Sequence, residues 1–101
     1  MTNIVLFCAA GMSTSLLTNK MKEAAAEMGF ECTIEAYPMN QAELIGPTAD
    51  IILLGPQVRH QLKKIAAVSG DVPIAVIDMV AYGMVDGKKV IQQVQKMQQG
   101  E

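Results

Sequence analysis

The sequence predicts an α/β fold: a single open sheet of four parallel strands, in order 2-1-3-4, with helices on both faces. Three observations lead there. Apolar runs of strand length alternate with stretches of helical periodicity. Two of those runs, residues 4–7 and 51–54, lack polar alternation, as in central strands covered on both sides. A third, residues 31–37, alternates apolar with polar and so belongs at an edge. Right-handed crossovers between parallel strands complete the order.

Ile4, Val5, Leu6 and Phe7 form the first strand, which ends at Cys8 and turns through Ala9, Ala10 and Gly11. The spacing predicts a helix over residues 13–28, entered through Ser13, Thr14 and Ser15, which are preferred capping types. Leu17, Met21, Ala24, Ala25 and Met28 share one face, with Lys22, Glu23 and Glu27 away from it, and Gly29 is the stop. In the edge strand Cys32, Ile34 and Ala36 face one way, and Pro38 ends it. Residues 39–48 are a connection with room for one short helical turn.

Asp50 opens the third strand, which Gly55-Pro56 terminates. Residues 57–67 read as a helix with Val58, Leu62, Ile65 and Ala66 inward and Arg59, His60, Lys63 and Lys64 off that face. Ser69-Gly70-Asp71 breaks the chain before a fourth strand over 73–77. Residues 78–86 read as a loop containing Tyr82-Gly83. The last helix, 87–99, is held by Val90, Ile91, Val94 and Met97.

Composition narrows the function. A chain of 101 residues, 50% apolar and 18% charged, suits one domain over 1–101 with a covered sheet. A net charge of −2 gives no basic footprint for nucleic acid. No apolar run has the length of a membrane span, and the start lacks a signal peptide's pattern, so a cytoplasmic protein without direct membrane insertion is expected. Two Cys residues without CxxC spacing indicate neither a disulfide scaffold nor a zinc site, and no metal or cofactor is expected.

The chemistry concentrates at residues 8–15. Open α/β sheets bind ligands at the carboxyl ends of the strands where the strand order reverses, here between the first and third strands. Cys8 and Gly55-Pro56-Gln57 both arrive there. Small residues let backbone N–H groups approach a tetrahedral anion, and a helix start adds partial positive charge. Ala9, Ala10, Gly11, Met12, Ser13, Thr14 and Ser15 therefore form a candidate phosphate-binding loop. A helix start also favours a thiolate, so Cys8 is the candidate nucleophile for a phosphocysteine. The plainer alternative is a strand-end cysteine acting as a small buried hydrophobe, and Cys32 is assigned that role.

Weaker candidates surround this group. Pro56, Gln57 and Tyr82 are candidate partner contacts, Tyr82 also a candidate cover for the site. Asp78 suits a cap or turn better than a general acid, and Asp50, at the opposite end, is structural. His60 reads as solvated. Arg59, Lys63 and Lys64 read as a solvated face able to meet an acidic partner. No Gly-Lys-Ser/Thr follows Gly11, which excludes a Walker A loop.

The stretch Cys8-Ala9-Ala10-Gly11-Met12-Ser13-Thr14-Ser15-Leu16-Leu17 resembles the enzyme IIB component of the lactose/cellobiose family of bacterial sugar phosphotransferase systems, in particular its cellobiose/chitobiose type. Residues 34–38, 51–57, 76–78 and 82–87 resemble it as well. The resemblance implies a four-stranded parallel fold similar to low-molecular-weight tyrosine phosphatases. It implies that Cys8 takes a phosphoryl group from a histidine of a IIA protein and passes it to a β-linked disaccharide in a membrane-embedded IIC transporter.

The competing reaction class is hydrolysis by a low-molecular-weight phosphatase or an arsenate reductase. Those use Cys-x5-Arg, in which the guanidinium grips phosphate bidentately. The sixth residue after Cys8 is Thr14, and residues 9–15 contain no cation. That absence favours a relay over hydrolysis. A third alternative, a phosphate- or nucleotide-sensing module, would keep its ligand in Cys8→Ser.

Overall fold

Strand β1 (Thr2–Cys8) runs through the middle of a parallel sheet, flanked by β2 (Cys32–Pro38) on one side and β3 (Ile51–Leu54) on the other. Strand β4 (Ile74–Val76) pairs with β3 at the far edge, giving the order β2-β1-β3-β4. The computed structural model describes residues 1–8 and 11–98, the side chains of residues 11–14 excepted. The expected sheet and order are present.

The unalternating run in β1 follows from burial on both faces. Ile4 and Leu6 pack with Leu53 under α1 (Gly11–Glu27) and α5 (Gly87–Gln98), against Leu17, Met21, Val90 and Val94. Val5 and Phe7 point the other way, into a second core with Ile52, Leu54, Val58 and Ile65. Helices thus cover both faces. In β2 only Ile34 is buried, while Thr33 and Glu35 are exposed, as befits an edge.

α1 starts at Gly11, two residues before the expected start, so Ser13, Thr14 and Ser15 lie inside its first turns rather than ahead of them. It ends in a Schellman motif: Phe30 N–H donates to the Ala25 carbonyl, Gly29 N–H to that of Ala26, and Gly29 has φ +68. α5 opens on Asp86, whose carboxylate accepts from Lys89 N–H at 3.1 Å. A side chain on Gly87 would stand 2.5 Å from the Lys20 carbonyl oxygen and the Met21 amide nitrogen, so the absence of one lets α5 lie on α1.

Three segments depart from expectation. Residues 39–48 hold a 3-10 turn (Met39–Gln41), α2 (Ala42–Ile45) and a second 3-10 turn (Gly46–Thr48). Residues 57–67 are not one helix: a 3-10 segment, Pro56–Gln61, kinks at Val58 (φ −115, ψ 20) before α3 (Leu62–Ser69). Three residues per turn and a kink break the 3.6 phase. Val58 and Ile65 are buried accordingly, but Leu62 and Ala66 are exposed. Residues 78–86, expected as a loop, contain α4 (Met79–Gly83), after which Val85 turns the chain with a left-handed φ of 53.

Candidate active site

Cys8 is the last residue of β1, level with Pro38 at the end of β2. Its side chain is 1% exposed and, by strand alternation, lies on the α1 side with Ile4 and Leu6. Next to it, Gly55 extends the sheet by donating to the Phe7 carbonyl at 3.0 Å, and Ile77 N–H donates to the Leu54 carbonyl at 2.9 Å. The ends of β1, β3 and β4 therefore align, and Cys8 stands where the strand order reverses.

Gly55 is the meeting point of the site. A Cβ built on it would lie 3.7 Å from Cys8 Cβ, 3.7 Å from Tyr82 Cε2 and 2.7 Å from Gln57 Oε1. The cysteine, phenol and amide thus converge on the space a side chain at 55 would fill. Gln57 Nε2 donates to Tyr82 Oη at 3.1 Å. Pro56, Gln57 and Tyr82, chosen from sequence as contacts, line one open depression of about 660 Å³.

Asp78 is occupied as a helix cap. Its Oδ2 accepts from Ala81 N–H at 3.0 Å and lies 4.0 Å from Lys89 Nζ. Asp50, at the other end of the sheet, accepts from Asn3 N–H at 2.8 Å. Burial pushes the Cys32 thiol up, in keeping with its place beside the core. Neither cysteine is in a disulfide. Among the described residues, no three His, Cys, Asp or Glu side chains are placed to share a metal ion.

Of the expected phosphate loop, Ala9 and Ala10 lie outside the described residues, as do the side chains of Met12, Ser13 and Thr14; Gly11 begins α1. Ser15 is exposed, and its carbonyl accepts from Thr18 Oγ1 at 2.8 Å. Sequence reasoning missed Arg59, His60, Met79 and Gly83, which also line the depression. His60 is exposed, as expected, but on the rim of the site. The 3-10 kink turned it and Arg59 there, and a helical phase carried over residues 57–67 could not show that. The signal that was available is Pro56 directly after Gly55, a residue pair that resets backbone direction. A separate cleft of about 290 Å³ between α2 and α3, bordered by Glu43 and Lys64, contains no residue of this cluster.

Residues 3–93 match the family described as the phosphotransferase system (PTS) lactose/cellobiose-specific IIB subunit. The chain belongs to this family. Over 96 residues this IIB chain is 45% identical to the oligo-beta-mannoside-specific EIIB component of Bacillus subtilis, with 92% of each chain covered. It is 46% identical to the cellobiose-specific EIIB component of Lactococcus lactis, covering 87% of this chain and 88% of that one. A galactose-specific EIIB component, also from Lactococcus lactis, is 47% identical with the same coverage.

Two solved structures share the IIB fold. The cellobiose-specific IIB component of Borrelia burgdorferi superposes with a TM-score of 0.72 at 34% identity, covering 90% of this chain and 85% of that one. The lactose-specific IIB domain of Streptococcus pneumoniae superposes with a TM-score of 0.79, covering 94% and 95%; at 22% identity it speaks for the fold alone. As a IIB component the chain is a phosphotransferase of a sugar uptake system. Among the described residues, no helix is long and apolar enough to cross a membrane.

Proposed function

We propose that Cys8 carries the phosphoryl group of this IIB protein. The observation behind this is its position: the chain's one cysteine at the carboxyl end of a central strand stands at the sheet's switch point, beside a depression lined by Gln57 and Tyr82. In the first step the Cys8 thiolate attacks the phosphorus of a IIA phosphohistidine; an S–P bond forms, the N–P bond breaks, and the pair stays on the imidazole nitrogen. In the second, a sugar hydroxyl oxygen attacks the phosphorus and gives its proton to a base of the IIC site. The S–P bond then breaks and the thiolate leaves. The backbone N–H groups of residues 9–15 hold the phosphoryl oxygens meanwhile. No cation stands among residues 9–15 to support attack by water, which suits a carrier and not a phosphatase.

Both partners are proteins that meet this edge in the cytoplasm. Exposed apolar side chains cluster on the element that carries Tyr82 (Met79, Val80 and, just beyond it, Met84), and Leu16 on α1 is exposed too. Apolar surface of that kind suits transient docking. The sugar in this reading is a β-linked disaccharide of the cellobiose/chitobiose type. The relatives named for oligo-beta-mannosides and cellobiose support β-linkage; the one named for galactose does not.

The test is intact-protein mass after incubation with phosphoenolpyruvate, the general phosphotransferase proteins and a matching IIA. The wild type should gain one labile phosphoryl group and a folded Cys8→Ser protein none. Turnover of an aryl phosphate with no such gain would identify a phosphatase. Absence of both with several IIA proteins would leave Cys8 a core residue. Release of the group on adding cellobiose to IIC membranes tests the sugar.

A further inference from the structure

We infer that the depression beside Cys8 is the seat of the IIA donor, and that Arg59 on its rim selects this donor over the IIC acceptor. This rests on Cys8 being the carrier. The depression, about 660 Å³, opens between the two segments that leave the sheet at its carboxyl edge, the 3-10 segment Pro56–Gln61 after β3 and α4 after β4. Gly55 directly precedes the first segment, and a Cβ built on it would lie 3.7 Å from both Cys8 Cβ and Tyr82 Cε2. A protein seated in the depression therefore sits beside the strand end that carries Cys8. The Gln57–Tyr82 hydrogen bond ties one wall to the other.

The two walls differ in chemistry. On the α4 side Met79 lines the depression, with Val80 and Met84 exposed beside it. Flexible apolar side chains of this kind re-pack against more than one surface. On the other side stand Arg59 and His60, both exposed. Among the described residues, neither side chain is held in an ion pair or a hydrogen bond. The depression is lined by no Asp or Glu among the described residues. Asp78, at the start of α4, borders a different hollow with Lys89, Gln92, Gln93 and Lys96, where it caps α4 and lies 4.0 Å from Lys89 Nζ. Residues 8–19 contain no charged residue. A chain of net charge −2 thus presents an uncompensated guanidinium at this edge.

That charge distinguishes the two partners. The donor arrives with a negatively charged phosphoryl group on its histidine, whereas the acceptor step begins with that group already on this chain. The cytoplasmic loops of a membrane protein such as IIC carry an excess of Lys and Arg, which Arg59 repels. The occupant is therefore a IIA surface with an apolar side chain for the α4 wall and a carboxylate for Arg59. Exposed charges of this kind act on the rate of encounter and on rejection of the wrong partner. The apolar wall has no such preference and serves either protein.

The experiment separates the two half-reactions in wild type, Arg59→Glu, Met79→Ser and Lys22→Glu, after thermal melts have shown all four to be folded. Lys22 is exposed on α1, about 16 Å along the helix from its start at Gly11, and its reversal changes the net charge as much as that of Arg59. Loading of Cys8 is followed by mass against the concentration of phosphorylated IIA, at low and physiological salt. Discharge is followed from purified, loaded protein into IIC membranes with a sugar that discharges the wild type. Arg59→Glu should raise the KM for the donor about fivefold or more, lose most of the salt dependence of loading, keep kcat, and discharge at the wild-type rate. Met79→Ser should weaken both half-reactions and Lys22→Glu neither. An unchanged donor KM in Arg59→Glu or in Met79→Ser overturns the inference. Slower discharge of Arg59→Glu overturns it too, by opening that wall to IIC, as does an equal effect of Lys22→Glu, which would leave net charge as the cause. Each of these leaves the carrier reading standing; a wild type that never loads on Cys8 removes both together.

Discussion

Gly55→Ala separates stability from function more sharply than any change at Cys8. Gly55 has φ −61 and ψ 147, a conformation alanine adopts freely. Two of the three atoms facing the new methyl, Cys8 Cβ and Tyr82 Cε2, would be at 3.7 Å, ordinary contact; the third, Gln57 Oε1, would be at 2.7 Å and must move. Restricting the unfolded chain stabilises by about 0.4–1 kcal/mol. Losing the Gln57–Tyr82 hydrogen bond costs about 0.5–1.5 kcal/mol at most, and Gln57 is exposed. The two nearly cancel, so the melting temperature should stay within about 4–8 °C of wild type, the shift that 1 kcal/mol gives a domain of this size. If Cys8 carries the phosphoryl group as proposed, transfer should nonetheless slow, because the new methyl displaces the Gln57 amide and its hydrogen bond to Tyr82 beside Cys8. Calorimetry and a transfer assay on one preparation read both quantities. A stable Gly55→Ala protein that transfers at the wild-type rate would refute the reasoning, as would one destabilised well beyond the cancelling terms.

Gly87→Ala should behave oppositely. Its methyl meets backbone of α1, which cannot step aside as a glutamine does, so a loss of roughly 2 kcal/mol or more is expected in denaturant melts; an unchanged midpoint would show that the helices part freely. Ser69, 2% exposed, has a hydroxyl with no hydrogen-bond partner among the described residues, and Ser69→Ala should raise stability by about 1 kcal/mol. A lower melting temperature would reveal a partner for that hydroxyl. Because burial raises the Cys32 thiol above its ordinary 9.0, the folded state holds that proton more tightly than the unfolded one. Its contribution is complete below 9.0 and falls as the pH climbs through the folded value, so Cys32→Ala should flatten the loss of stability above pH 9.0. Identical alkaline profiles for the two proteins would contradict this.

The strands were legible because burial on two faces leaves a mark in each residue: Ile4 and Leu6 serve one core, Val5 and Phe7 the other, and none can be polar. The faces of α1 and α5 were legible for the same reason. The rim of the site was legible only in part: Pro56, Gln57 and Tyr82 were chosen, and the rest were not. Arg59 and His60 reach it through a 3-10 segment whose three-residue turn has no place in a 3.6-residue pattern, and Met79 and Gly83 through a five-residue helix too short to show periodicity. Tyr82 and Cys8 both border Gly55, in a turn that sequence marks only as Gly-Pro. Cys8 itself was visible from its strand, its small neighbours and the hydroxyls beyond.

Strand β1 pairs with β2 from Thr2 to Cys8 and with β3 from Ile4 to Phe7, whereas β4 holds only to β3 and only over Ile74–Val76. Amide exchange should follow that gradient, with β1 opening only when the whole molecule does and the segment beyond β4 opening early. Cys8 therefore ends the most extensively paired strand of the sheet, and Tyr82 lies on the short helix that follows its shortest strand. Under the proposed reading, a phosphoryl group on Cys8 would keep its place between donor and acceptor while the rim beyond β4 gives way to each.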